Sequence, residues 1–249
     1  MMRDWTSVAA GAIGGALLGV VIVFAAAHQG WLPGTGGSAA NIRGYLLSHP
    51  ELLAEMTDRL QTRQEAADRA KAADAVKKIG MNAFFDPRIA YITGPADAKK
   101  TVVEFYDYNC PYCRLSLPAM EKFHEQHKND TRFAFIVFPI RGPDSVLAAR
   151  AALASRLQPD KYMALYSTLM KENDPVDEAM IFADAKKAGL DVIKLKLDMQ
   201  RPEIDAAIAA SKALAARAGI DGTPTFIING VMHPGAVDDE TLKNLTAES

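Results

Sequence analysis

The feature that most constrains the fold of this chain is a run of strand-forming residues that leads directly into a pair of cysteines. Residues 101–106 read "TVVEFY", which is typical of a buried β-strand. The residues "DYNCPYC" follow at positions 107–113, and apolar residues with helical spacing continue beyond them. Cys110 is therefore predicted to lie where a strand gives way to a helix, with Pro111 in the first helical position, which proline favours.

Cys110 and Cys113 are the only two cysteines among the 249 residues. The composition is that of an ordinary globular protein, with 49% hydrophobic and 23% charged residues, so the core does not need a disulfide. A disulfide across so short a loop would also remove little chain entropy. The net charge of −2 and the lack of a glycine-rich phosphate loop give no reason to expect nucleic acid or a nucleotide cofactor. The cysteine pair therefore indicates a redox or metal-binding role rather than a structural cross-link.

A redox role requires a thiolate, a second thiol and a group that moves a proton. The N-terminus of a helix favours an anion, so the pKa of Cys110 should fall below the value of about 8.5 of a free thiol. Cys113 follows one turn later, near enough to attack a mixed disulfide. Glu104 and Asp107 are the candidate acids, and strand alternation predicts that at most one of them lies beneath the thiols. A solvated carboxylate is the alternative for each.

Metal binding is the main chemical alternative. His124 and His127 would complete a C-x2-C-x10-H-x2-H set with the cysteines, but both spacings are shorter than those of a zinc finger. A two-thiolate site for Cu(I) stays compatible with the ligand type. A non-enzymatic copper-binding or copper-delivery protein is thus the alternative function, while the redox reading requires no metal and no organic cofactor.

The N-terminal part of the chain has a separate organisation. Residues 8–27 contain no charged side chain and are long enough, at about 30 Å as a helix, to span a bilayer. We interpret them as a membrane anchor, with a signal peptide cleaved near residues 25–27 as the alternative. Arg3 indicates that the short N-terminus stays in the cytoplasm and the remainder is exported. Residues 28–41 are rich in glycine and also contain Pro33 and Ser38, which is typical of a flexible linker.

Residues 42–80 are predicted to form a helical stalk, with Ser48 as a cap. Leu53, Met56 and Leu60 form a narrow apolar stripe within it, and the remaining residues are mostly alanine and charged. Such a helix either forms an oligomer contact or packs against its own domain.

The remaining sequence predicts an α/β fold with a mixed sheet flanked by helices. A second buried strand is predicted within residues 132–140, and helical patterns fill residues 143–218. Pro143, Pro175 and Pro202 are each expected near the first turn of a helix, with Asp174 as the cap before Pro175. The final elements are a hairpin that turns at "NG", residues 229–230, and a short helix at 238–246.

Two motifs together resemble those of the DsbA-like branch of the thioredoxin superfamily. The members of this branch are exported bacterial thiol–disulfide oxidoreductases. These motifs are "TVVEFYDYNCPYC" at residues 101–113 and "GTPTFIING" at residues 222–230. The resemblance covers residues 85–249, and it implies a thioredoxin-like fold with a helical domain inserted at about 143–218. The stretch "IRGYLLSHPELLAEM" at residues 42–56 resembles the suppressor-of-copper-sensitivity C subgroup, in which the corresponding region supports oligomerisation and disulfide isomerase activity.

The resemblance also implies roles for individual residues. It makes Cys110 the nucleophile, Cys113 the resolving thiol and Glu104 the buried acid. Pro224 matches the family's cis-proline, and Thr223 before it offers its backbone to the substrate. Pro111 and Tyr112, between the cysteines, are the further substrate-binding residues.

The function predicted from these features is that of a protein disulfide oxidase or isomerase. Its partners would be unfolded or misfolded exported proteins, a membrane redox protein that recharges it and other copies of the same chain. It would act on the periplasmic side of the bacterial inner membrane.

Overall fold

The structure is a computed structural model that describes residues 39–173 and 175–247. Within these ranges, no helix has the length and apolarity needed to cross a membrane. The predicted membrane segment 8–27 and the linker residues 28–38 lie outside them. The chain divides into two compact units, with the boundary after Glu65.

The described residues of the first unit, 39–65, are helical. Helix α1 spans Ala39–Ser48, and α2 spans Glu51–Ile79. The interpretation of residues 39–41 as linker is wrong, because alanine favours helix strongly enough to start α1 at this point. Ser48 does not cap α2 as predicted: it is the last residue of α1, where its hydroxyl donates to the Tyr45 carbonyl at 2.9 Å.

The second unit contains one five-stranded mixed sheet with the strand order β1-β3-β2-β4-β5. Strands β2 and β3 are parallel and joined by helix α3, and the other neighbouring pairs are antiparallel. The strand–helix–strand unit and the mixed sheet predicted from the sequence are thereby confirmed. The bounds are β1 Ala90–Thr93, β2 Lys100–Tyr106, α3 Pro111–His127, β3 Thr131–Val137, β4 Thr225–Ile228 and β5 Val231–Pro234.

The hairpin between β4 and β5 turns at the predicted dipeptide. Asn229 and Gly230 have φ values of 51° and 84°, the left-handed pair that a two-residue hairpin requires. The Asn229 side chain also accepts a hydrogen bond from the Thr101 backbone N–H at 2.9 Å. This contact links the hairpin to the start of β2 and so supports the position of β4 beside it.

A helical segment lies between β3 and β4. Its helices are α4 (Pro143–Ser155), α5 (Tyr162–Met170), α6 (Glu178–Lys187), α7 (Val192–Asp198) and α8 (Pro202–Ala218). Pro143 and Pro202 begin helices as predicted, but Pro175 does not: α6 starts after Asp177, whose carboxylate accepts from the Met180 N–H. Asp174, the predicted cap, lies outside the described residues. A last helix, α9, spans Asp239–Ala247.

Alternate residues of the central strands are buried on opposite faces of the sheet, as the two-residue period of a strand requires. Val102 and Tyr106 of β2 belong to the cluster that includes the buried side chains of α3 and of the inserted helices. Val103 and Phe105 belong to the cluster on the other face, with the 3₁₀ helix Met81–Phe85 and α8. Glu104 shares the strand parity of Val102 and Tyr106, so it faces the first cluster.

Candidate active site

The cysteine pair lies where β2 passes into α3. Cys110 is the N-cap residue of α3 in an extended conformation, and Pro111 occupies the first turn. Proline fits there because the first N–H groups of a helix have no partner within the helix. The Cys110 backbone N–H bonds to the Asp107 carbonyl at 3.0 Å, and the Cys113 N–H bonds to the Cys110 carbonyl at 3.1 Å. The start of the helix thus brings the two thiols together as free cysteines.

The pKa of the Cys110 thiol is lowered to about 5. The largest cause is a hydrogen bond from the Cys113 thiol, and bonds with Thr223 and with the backbone of Tyr112 and Cys113 act in the same direction. Together they outweigh burial, which alone would raise the pKa. The direction of this shift agrees with the expectation of an acidic thiol at the helix start, but its largest cause is the Cys113 thiol rather than the helix terminus.

Cys113 has the opposite character. Its side chain is fully buried, and burial raises its pKa far above that of a free thiol. The hydrogen bond with Cys110 and the negative charge of Glu104 act in the same direction. One thiol of the pair therefore ionises readily, whereas the other holds its proton until a base removes it.

The bond between Thr223 and Pro224 is cis, which confirms that prediction. The Cys110 Sγ lies 3.0 Å from the Thr223 carbonyl oxygen, to which the protonated thiol can donate, although 113 positions separate the two residues. Pro224 is buried and Thr223 is half-buried. The segment before β4 thus faces the sulfur of Cys110.

Pro111 and Tyr112 are both exposed, and Leu115, one turn beyond Tyr112, is exposed as well. The Cys110 side chain itself has no exposed surface. Access of a large reactant to the Cys110 sulfur therefore requires local opening of the surface.

Glu104 is fully buried in the middle of β2, and burial raises its pKa to about 8. Its Oε2 accepts a hydrogen bond from the Tyr166 hydroxyl at 2.9 Å, which acts against that increase. Its Oε1 has no hydrogen-bond partner among the residues that the structure describes. The solvated alternative for Glu104 is wrong, and its carboxyl group can hold or release a proton near neutral pH.

Asp107 is buried as well, so the solvated alternative is wrong for this residue too. One carboxylate oxygen accepts from the Asn109 N–H at 2.9 Å, and the other accepts from the N–H groups of Ile140 and Arg141 at 2.8 and 3.1 Å. Three backbone N–H groups thus donate hydrogen bonds to this carboxylate. It connects the loop before Cys110 to the loop after β3, whereas Glu104 is the acid that acts on Cys113.

Sequence reasoning missed a group of buried tyrosines around Glu104. The Tyr106 hydroxyl lies 3.1 Å from that of Tyr108 and 2.6 Å from that of Tyr162. Tyr162 and Tyr166 are one turn apart on α5, and burial raises the pKa of both phenols. The only signal in the sequence was this four-residue spacing in a helix whose packing partner was unknown.

The loop between α5 and α6 also contacts the cysteine loop. The Asn109 side chain accepts from the Val176 N–H at 2.6 Å, and the Arg114 side chain donates to the Asn173 carbonyl at 3.1 Å. These side chains come directly before Cys110 and directly after Cys113. The helical segment is thereby attached on both sides of the pair, which sequence patterns did not indicate.

The four-ligand zinc set is not assembled. His124 Nε2 lies 2.8 Å from the Thr93 hydroxyl, and His127 Nδ1 lies 3.2 Å from the Asp130 carboxylate. Among the residues that the structure describes, no group of three or more His, Cys, Asp or Glu side chains is placed to hold a metal ion.

Comparisons with known proteins agree with this geometry. The family model described as the DSBA-like thioredoxin domain matches residues 101–247, and that of the copper resistance protein ScsC N-terminal domain matches residues 40–67. A thioredoxin-like oxidoreductase from Silicibacter pomeroyi is 37% identical, with a TM-score of 0.63, over 68% of this chain and 96% of its own. ScsC from Proteus mirabilis, in a transitional conformation, is 32% identical, with a TM-score of 0.64, over 84% and 93%.

Curated relatives include a Na⁺/H⁺ antiporter, NhaA 3, from Salinispora tropica. It is 28% identical over 188 residues, which are 74% of this chain and 28% of the antiporter. This chain thus spans little more than a quarter of the length of that relative. The similarity concerns one part of the antiporter, and its ion transport is not transferred to this chain.

Proposed function

We propose, from the premise that this chain belongs to the family of DSBA-like thioredoxin domains, that it exchanges disulfides with protein substrates through Cys110 and Cys113. The observation that carries the proposal is the asymmetry of the pair. Cys110 is acidic at the start of α3, whereas Cys113 is buried and keeps its proton. A low pKa suits a sulfur that acts as the nucleophile or the leaving group, as Cys110 would. A buried thiol that keeps its proton suits the resolving role of Cys113.

Oxidation of a substrate begins with the disulfide form of the pair. A substrate thiolate attacks Cys110 Sγ, the bond between the two cysteines breaks, and Cys113 leaves with the electron pair and takes a proton. A second substrate thiolate then attacks the substrate sulfur of the mixed disulfide, and Cys110 leaves as a thiolate. The low pKa of Cys110 favours this direction, because a stabilised thiolate makes the disulfide form oxidising.

Isomerisation begins with the reduced form. The Cys110 thiolate attacks a substrate disulfide, and the released substrate sulfur attacks elsewhere in the same chain. When the substrate does not resolve itself, Cys113 gives its proton to the Glu104 carboxylate and attacks Cys110 Sγ, which releases the substrate as a thiolate. Glu104 is the base in this step because its charge acts on Cys113 and its pKa lies near 8.

The substrate site in this proposal combines backbone and apolar contacts. Thr223 and Pro224 present a backbone edge next to Cys110, against which an extended substrate segment can align. Pro111 and Tyr112, which follow Cys110 in the chain, contribute exposed surface. Unfolded and misfolded exported proteins expose such extended, apolar segments. Neither an organic cofactor nor a metal enters any step.

The test is refolding of reduced and of scrambled ribonuclease by the purified full chain. Cys110→Ser should abolish both activities, because no nucleophile remains. Cys113→Ser should accumulate mixed disulfides that are visible by mass spectrometry. An unchanged rate with Cys110→Ser would refute the proposal. The copper alternative predicts instead no turnover together with tight binding of one Cu(I) that requires both thiols.

The place of action follows from the same chemistry. Net formation of disulfides requires an oxidising compartment, which for a bacterium is the periplasm. We assign residues 8–27 as the anchor on the inner membrane and a membrane redox protein as the partner that recharges the pair. Fractionation of cells should place the chain in the membrane fraction with its thiols accessible from the periplasm. Recovery of a soluble, shortened chain would identify residues 8–27 as a cleaved signal instead.

The N-terminal helices decide between oxidase and isomerase in this proposal. Leu53, Met56 and Leu60 of α2 are 73%, 60% and 68% exposed. A homo-oligomer that covers this stripe would place several pairs of thiols around one misfolded substrate, which raises their effective concentration. We therefore propose that the oligomer isomerises disulfides, whereas a single copy only oxidises thiols.

A further inference from the structure

The side chain of Glu104 receives its hydrogen bond from the inserted helical segment and not from the sheet in which it lies. Tyr166, on α5, donates to Oε2 at 2.9 Å across a separation of 62 positions. Both side chains are fully buried, and Tyr166 is a donor that the protein itself supplies to this carboxyl group. The opposite oxygen, Oε1, has no hydrogen-bond partner among the described residues. The two oxygens of the Glu104 carboxyl group therefore differ. Oε2 accepts a hydrogen bond from Tyr166, whereas Oε1 accepts none from the described residues.

Few titratable groups surround this carboxyl. The neighbouring strands place Phe135 of β3 and Phe226 of β4 directly opposite Glu104, and neither carries a charge. The groups that interact electrostatically with Glu104 are Cys113 of α3, Tyr108 of the cysteine loop, and Tyr162 and Tyr166 of α5.

We propose that Tyr166 is a positioning residue for the thiol–disulfide reaction, because its hydroxyl holds Glu104 Oε2 and leaves Oε1 to accept the proton of Cys113. The proposal rests on the function assigned to the cysteine pair and to Glu104. It adds that the helical insertion contributes to proton transfer at the site. In this role Tyr166 acts through Glu104 rather than on the substrate.

The hydrogen bond has a defined electrostatic consequence. A buried carboxylate is stabilised by a donor more than a neutral carboxyl group is, so loss of the donor raises its pKa. Loss of one hydrogen bond to a charged group corresponds to a shift of about one to two pKa units. With a pKa near 8, Glu104 is about one-tenth ionised at pH 7, and loss of the Tyr166 hydroxyl should reduce that carboxylate fraction about ten-fold further. The step in which Cys113 gives up its proton should slow, whereas attack by the Cys110 thiolate should not change.

Tyr166→Phe removes the hydroxyl and keeps the ring, and Tyr162→Phe is the matched control. Tyr162 lies one turn earlier on the same helix and is equally buried, but its hydroxyl bonds to Tyr106 and not to Glu104. The full-length chain would first be converted to a mixed disulfide of Cys110 with glutathione. The release of glutathione by Cys113 would then be followed by stopped-flow measurement from about pH 6 to 11, which brackets the Glu104 midpoint before and after the expected shift.

With Tyr166→Phe we expect the midpoint of this pH profile to move up by about one unit and release at pH 7 to slow about ten-fold. Tyr162→Phe should leave the midpoint in place, and formation of the mixed disulfide should proceed at the same rate in both variants. A profile with Tyr166→Phe that matches the wild type or the Tyr162→Phe control overturns the proposal.

The double variant excludes a purely structural explanation. In a Glu104→Gln background, the addition of Tyr166→Phe should slow release no further, because the group through which Tyr166 acts is gone. An additional ten-fold loss in that background would show damage to the fold and overturn the proposal. The proposed function stays separate from this result, since it fails only when Cys110→Ser retains the exchange activity.

Discussion

Residues 39–65 and residues 66–247 use large apolar side chains in opposite ways. In the first region, Leu47, Leu53 and Leu60 are 71%, 73% and 68% exposed. In the second, Phe105, Phe123 and Phe226 have no exposed surface. A buried large side chain stabilises a fold by about 1.5–3 kcal/mol, whereas an exposed one contributes little to it. The comparison indicates that the second region carries the information for the fold and that the apolar residues of the first are available to a partner.

The residues of the candidate active site follow the same division between the two regions. The two thiols, Glu104, Tyr166 and the Thr223 carbonyl all lie in the second region. The ScsC N-terminal family model matches the first region, and the DSBA-like model matches the second. If this division is correct, substitutions in one region should change assembly, and substitutions in the other should change stability or exchange.

The largest expected contrast concerns stability. Phe123→Ala removes a buried ring from the main core cluster and should lower the free energy of unfolding by about 3–5 kcal/mol. Leu53→Ala removes an exposed side chain and should change it by less than about 0.5 kcal/mol in a monomeric sample. Denaturant unfolding of the reduced protein measures both. A loss of several kcal/mol with Leu53→Ala in the monomer would mean that the stripe packs within its own chain.

The next contrast concerns assembly. Substitution of Leu53, Met56 and Leu60 by serine should convert the proposed oligomer to a monomer at micromolar concentration, as measured by light scattering. Isomerisation of scrambled ribonuclease should fall with it, whereas oxidation of a simple dithiol should persist. Serine at positions 54, 55 and 58, on the opposite side of the same helix, is the control and should change neither. A wild-type chain that is already monomeric under these conditions would contradict the prediction.

The pH dependence should belong to the second region alone. In the reduced wild type, thiolate absorbance at about 240 nm should appear as the pH rises. Its midpoint should lie near pH 5, because this is the lowered pKa of Cys110. Cys113→Ala removes the largest cause of that shift and should raise the midpoint by about one to two units. Cys113→Ser keeps a donor and should raise it less. The serine variant of the apolar stripe should titrate as the wild type does.

The same shift predicts how stability changes with pH. The pKa of Cys110 is about 5 in the folded protein and about 8.5 in an unfolded chain, so the unfolded state binds the extra proton between these values. The pH-dependent part of the stability difference between the reduced wild type and Cys110→Ser should therefore grow from pH 5 to about 8.5 and vanish below pH 5. Glu104 titrates in both proteins and largely cancels in this difference. An advantage that shrinks as the pH rises would contradict the assignment of the thiolate to Cys110.

The smallest contrast compares two surface interactions. Asp177→Ala removes the side chain that caps α6 in the second region and should lower the free energy of unfolding by about 1 kcal/mol. Glu55→Ala breaks an exposed pair with Arg59 in the first region and should change it by less than about 0.5 kcal/mol. Thermal and denaturant unfolding of the two variants measure the difference. Equal effects would show that the cap contributes no more than an exposed ion pair.

Much of the local structure could be predicted because it depends on neighbouring residues. The strand that leads into Cys110, the helix that starts at Pro111 and the turn at Asn229-Gly230 each follow from residues within a few positions. The boundaries were less certain where two local rules compete. Residues 39–41 illustrate this, because a glycine-rich stretch precedes them while their own alanines favour helix.

The environment of the two acids could be predicted only in part. Strand parity correctly separates Glu104 from its neighbours Val103 and Phe105, and it places the carboxyl on the face of the main core cluster. The same rule does not hold for Asp107, to which we also applied it, because this residue lies beyond the end of β2, where loop backbone donors surround it. Burial of that carboxylate depends on a loop more than thirty positions away.

The sequence by itself determined the spacing of the two cysteines, the strand-to-helix junction at which Cys110 lies, and the apolar stripe of the N-terminal helix, since each depends on spacing along the chain. Only the tertiary structure decided which groups complete the site. Thr223 reaches Cys110 because β4 pairs beside β2, and Tyr166 reaches Glu104 because the inserted helices pack on the face to which Glu104 points. Contacts across 113 and 62 positions depend on strand order and helix packing, which no local pattern encodes.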